Sequence, residues 1–206
     1  MSDEPWFLVL RNAPEQQAIF NWWIGLEQRK GERAALRRCE NAEFAMKEIG
    51  SLRLQFTLQK LVRSVSEKAI ANVAYVLAHL KPSDELLKQE SEQRFAFLMQ
   101  QYTTRLAVQM GGQREGGTEK PLISELRFQR LLQASVQEND DFSIDLRRIV
   151  RHLDKEVKVN PVLVADDVFY RFRALKKPDE YRGEKSFQFK LAKDYYQEIF
   201  TYQEDK

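Results

Sequence analysis

The chain has 206 residues, 33 basic and 31 acidic, for a formal net charge of +2, and 43% of them are hydrophobic. That is too apolar for a disordered chain and too balanced in charge for composition alone to name a partner. A single cysteine, Cys39, excludes a disulfide framework, and no window approaches the roughly 18 apolar residues of a membrane-spanning helix.

The start, Met1-Ser2-Asp3-Glu4, is acidic and has no basic region followed by an apolar stretch, so cytoplasmic residence is expected. Glycine and proline are few, and Pro5, Pro14, Pro82, Pro121, Pro161 and Pro178 fall where helical patterns start or stop. The expected fold is all-α, a helical bundle of one domain or two small lobes. Arginine supplies 18 of the 33 basic residues, and its planar fork suits bidentate phosphate contacts.

In chain order, the first helix is predicted from Glu15 to Leu26, with Ile19, Trp22, Trp23 and Leu26 at three- and four-residue steps. The adjacent tryptophans can stack bases, but on an amphipathic helix packing is the stronger reading. Gly31 breaks the pattern, and Glu32 opens a short helix carrying Arg33, Arg37 and Arg38. From Arg29 to Arg38 there are five basic residues against one acid. Like charges four apart repel by a few tenths of a kcal/mol, so an anionic ligand gives that spacing a purpose.

A long helical region follows, with Ile49, Leu52, Phe56 and Leu61 as expected core residues. It continues in pieces through Val73, Val76, Leu77 and Leu80 to the stop at Lys81-Pro82. Ser83-Asp84-Glu85 reads as an N-cap with first-turn acids, starting a helix whose apolar side is Phe95, Leu98, Tyr102 and Leu106. Residues 111–121 hold four glycines and read as a mobile loop, dividing lobes 1–110 and 122–206. They lack the Gly-Lys-Ser/Thr ending of a phosphate-binding loop.

Beyond it, a helix from Ser124 places Phe128, Leu131 and Leu132 on one face with Arg127 and Arg130 on its flank. The next helix, from about Ser143, is the most regular. Leu146, Ile149, Val150 and Leu153 make its core stripe, and Arg147, Arg148 and Arg151 fall on the opposite side. Asn160-Pro161 is a strong helix start, with Ala165, Val168, Phe169 and Phe172 facing inward. Residues 187–202 form a last amphipathic helix.

Catalytic and metal patterns are missing from the sequence. His79 and His152 are the only histidines, with no His-x-x-x-His or Cys-x-x-Cys pair to hold zinc. No nucleophile elbow surrounds a serine, and Cys39 has no base near it in sequence. Asp140-Asp141 and Asp166-Asp167 read as acids at helix starts. Two-metal chemistry would need further carboxylates converging on them. The expectation is a non-enzyme with no cofactor and no metal.

The segments Ile123–Leu132, Asp145–Leu153 and Asn160–Tyr170, with Trp22-Trp23-x-x-Leu26 and Arg33–Arg38, resemble the small subunit (CasB family) of the type I-E CRISPR surveillance complex, Cascade. The middle region, roughly 44–108, carries no comparable motif. The resemblance implies a non-catalytic, two-lobed helical protein present in more than one copy. Its partners would be guide RNA, target and displaced DNA, and the backbone and large subunits. On this reading Arg33, Arg37, Arg38, Arg127, Arg130, Arg147, Arg148 and Arg151 contribute phosphate contacts. The rival expectation is a protein–protein adaptor whose arginines pair with acidic patches on partner subunits.

Overall fold

The computed structural model describes residues 7–61, 65–114, 118–135 and 141–204. It is an all-α bundle, with 70% of the described residues helical. The first helices are α1 (Ala13–Gly25), α2 (Lys30–Arg38), α3 (Ala42–Ala45) and α4 (Ile49–Gln59). They are followed by α5 (Glu67–Leu77), α6 (Asp84–Lys88), α7 (Arg94–Gln101) and α8 (Leu106–Gly111). A two-stranded antiparallel hairpin, β1 (Gln113–Arg114) and β2 (Thr118–Pro121), leads to α9 (Glu125–Gln133), α10 (Asp141–Glu156), α11 (Pro161–Lys176) and α12 (Phe187–Glu204).

The centre is α5. Residues 69–77 are buried around its whole circumference, as expected of a helix apolar on every side, and α2, α3, α4, α10 and α11 pack on it. Ser66 caps it by accepting a hydrogen bond from Ala69 N–H. One hydrophobic core runs from Val9 to Ile199 and includes helices on both sides of the glycine-rich segment. Trp22 and Trp23 are packing residues: their indole N–H groups donate to the carbonyls of Gly50 (2.8 Å) and Leu80 (3.3 Å).

Four expectations are corrected. Ile49, Leu52, Phe56 and Leu61 are not core: Ile49 is 65% and Phe56 66% exposed. The face of α4 that packs is Gly50, Ser51, Leu54 and Leu58. A Cβ on Gly50 would lie 2.9 Å from a Leu36 methyl, so the missing side chain lets α2 and α4 close on each other. The helix expected to run from Ser83 through Leu106 is three pieces, α6, α7 and α8, although Ser83 caps as predicted, accepting from Leu86 N–H at 3.2 Å.

The glycine stretch is also partly built. Gly111 ends α8 where α12 crosses it, and a Cβ there would sit 2.5 Å from the Tyr195 carbonyl oxygen. Tyr202 donates from α12 to the Gly111 carbonyl at 3.1 Å. Gly112 and residues 113–114 and 118–121 then enter the hairpin; the remaining glycines of the stretch, at 116 and 117, lie outside the described residues.

Asp166 and Asp167 are buried rather than solvated first-turn acids. The Asp166 carboxylate accepts the backbone N–H groups of Leu8 (2.8 Å), Val9 (2.7 Å) and Leu10 (2.8 Å). Arg105, just before α8, bridges Asp166 at 3.4 Å and also pairs with Asp167. Burial pushes the Asp167 carboxyl up to about 6 against the pull of Arg105. Asn160 caps α11 as predicted, accepting from Val162 N–H at 2.9 Å.

Candidate nucleic-acid interface

The sequence of α10 dictates a sided helix, and its inner stripe of Leu146, Ile149, Val150 and Leu153 is buried as predicted. Anchoring that stripe fixes where the opposite residues point. Arg148, Arg151 and Lys155 stand at steps of three and four, one above the other along one edge. On α9, burial of Phe128, Leu131 and Leu132 sets Arg127 and Arg130 outward, one turn apart.

α9 and α10 pack together, and these five cations line one open groove of about 480 Å³, with Asp145 and His152 among its walls. Asp145 is mostly buried and accepts from Arg130 Nε at one oxygen and from an Arg148 terminal nitrogen at the other, both at 3.0 Å. One carboxylate thus orients two guanidinium groups and leaves their remaining donors facing the groove. Arg127, Arg151 and Lys155 make no ion pair among the described residues.

Arg147 departs from this row. It is half-buried and lies over the Tyr75 ring of α5, 5.1 Å from the centroid, and its Nε has no hydrogen-bond partner among the described residues. Next to Tyr75 sits His79, edge-on at 6.0 Å. Burial, and then the charges of Arg147, Arg37 and Arg151, press its pKa down to about 3, so it is neutral at physiological pH. The charges that act on it come from both α2, through Arg37, and α10, through Arg147 and Arg151.

On α2, Arg37 and Arg38 are exposed near its end. Arg33 turns inward and is 8% exposed. Its guanidinium pairs with Glu27 and donates to the Leu80 carbonyl at 3.3 Å. Burial lowers its pKa, with the charge of Arg37 acting the same way. Its charge is thus already paired within the chain.

The groove therefore gathers Arg127, Arg130, Arg148 and Arg151; Arg37 and Arg38 are exposed on α2, Arg147 lies over Tyr75 and Arg33 is buried. Sequence reasoning missed Lys155, although its position seven residues after Arg148 was a usable signal. It also missed Asp145 and His79, whose roles depend on tertiary neighbours. Among the described residues no group of three or more His, Cys, Asp or Glu side chains is placed to hold a metal. No helix among them is long and apolar enough to cross a membrane.

A family model described as CRISPR-associated protein Cse2 matches residues 32–196, a span that holds all eight arginines. The chain belongs to the Cse2 family. That is the small-subunit family of type I-E Cascade to which the sequence motifs pointed, and membership implies a place in that complex beside other subunits. No curated protein and no solved structure matches the chain.

Proposed function

We propose that this Cse2-family chain holds nucleic-acid backbone in the α9–α10 groove, as the non-catalytic small subunit of a cytoplasmic Cascade complex. The observation that carries the reading is the convergence of Arg127, Arg130, Arg148, Arg151 and Lys155 on one open groove. The ligands are the guide RNA–target DNA duplex and the displaced strand of the R-loop. The protein partners are the backbone and large subunits and a second copy of the chain. R-loop formation exchanges one duplex for another at nearly balanced free energy, so a few sequence-blind phosphate contacts can tip it. Several copies along one strand would multiply weak contacts.

The test is single-stranded DNA binding by the purified chain across a salt series. Each phosphate contact removed should lower the log–log slope by roughly 0.7. Arg127, Arg148 and Arg151 changed together to alanine should lose roughly two units of slope, and an unchanged slope would overturn the reading. The adaptor reading rests on Asp145, which already offers Arg130 and Arg148 a carboxylate. Crosslinks from α9 and α10 only to protein, within a DNA-bound complex, would favour it.

A further inference from the structure

A second groove, of about 540 Å³, opens beside the first, and Arg127 lines both. Its walls are Lys120 and Pro121 from β2 and Tyr196, Ile199 and Phe200 from α12. Tyr196 is held rigidly. Its hydroxyl bonds to Glu125 (2.6 Å) and accepts from Gln129 (2.7 Å), and its ring meets Phe128 and Tyr195 edge-on. Phe200 follows one turn later, its ring within 26° of parallel to Tyr196 at 6.3 Å.

Phe200 is 53% exposed, and α12 anchors itself without it through Phe187, Leu191, Tyr195 and Ile199. The groove thus offers a preorganised aromatic wall with a cation at Lys120 and another at Arg127. Glu125, its one acidic lining residue, is already engaged by Tyr196. A flat π-system joined to anions fits that chemistry, and the shared Arg127 makes the surface continuous with the phosphate groove. We infer that the Tyr196–Phe200 groove is a stacking subsite for an unpaired nucleobase, whose backbone passes Arg127 into the α9–α10 groove. This rests on the backbone-binding reading above. Paired bases cannot enter, so the subsite favours single strands, and it tolerates any base because each has a π face.

The test uses a single-stranded DNA oligonucleotide carrying 2-aminopurine and a matched oligonucleotide with abasic positions, both at low salt. The wild-type chain should quench 2-aminopurine and bind the abasic strand less tightly. Phe200→Ala should lose the quench and bind the base-bearing strand about tenfold more weakly. It should keep the salt slope and match wild type on the abasic strand, and Phe200→Tyr should restore the quench. If Phe200→Ala binds both strands as wild type does while Arg148→Ala/Arg151→Ala loses slope, stacking is wrong and backbone binding stands. If neither variant matters, or the wild-type chain binds neither strand, both readings fall. An equal loss on both strands, or a loss of self-association in sedimentation, would show Phe200 acting in a protein contact and overturn the subsite.

Discussion

The α2 turn and the α9–α10 groove carry arginine at the same helical spacings and use it in opposite ways. On α2, Arg33 points into the bundle and ends on Glu27 and the Leu80 carbonyl. On α9 and α10 the arginines stand off a sealed apolar stripe, and a single carboxylate, Asp145, orients two of them toward open space. Helical spacing reports which residues share a face. It does not report whether that face meets solvent or another helix, and for arginine this separates a cation paired within the bundle from one left open to solvent.

The largest effect that would sharpen this contrast is at Arg105, an inward arginine like Arg33. Arg105→Ala strands Asp166 and Asp167 without their cation, and denaturant unfolding should show a loss of about 3–5 kcal/mol. Arg33→Ala should cost less, about 2 kcal/mol, because Glu27 reaches water when its partner goes. A loss of salt slope without a loss of stability in Arg33→Ala would break the comparison.

His79, on which charges from both α2 and α10 act, adds a pH signature. Its folded pKa is pressed down to about 3, so from about pH 6.5 downward the unfolded chain takes up a proton that the folded chain refuses. Stability present above that range falls as pH drops, by about 1 kcal/mol per unit. Asp167 acts oppositely: its carboxyl, up at about 6, holds a proton where the unfolded carboxylate does not, so it gains stability as pH falls from about 6 to about 4. His79→Leu should therefore remove the acid loss and make the chain relatively more stable at pH 5 than at pH 7. Thermal melts at the two pH values check the sign.

The smallest expected change is in the stability of groove variants. Arg151→Ala and Lys155→Ala should melt within about 0.5 kcal/mol of wild type while each lowers the salt slope by roughly 0.7. A large melting shift in either would place it with Arg33.

The sequence was most legible where local rules decide. The core stripe of α10, the Asn160 cap, the Ser83 cap and the terminal helix all follow from spacing and capping within one helix. It misled where the packing residue is small. On α4 the eye follows Ile49 and Phe56, while the helix packs through Gly50 and Ser51. It was silent where contacts span the chain: nothing near Asp166 in sequence hints at amides 156 to 158 residues away. The meeting of α9 with α10 was hidden for the same reason.

That long-range tie bears on the order in which the molecule is made. Synthesis delivers Leu8, Val9 and Leu10 first and Asp166 more than 150 residues later, so these three amides have no partner while most of the chain emerges. Residues 8–10 therefore gain these three bonds only once α11 has been made. A nascent chain halted before residue 160 should exchange its amides at 8–10 freely with solvent, and the finished chain should protect them.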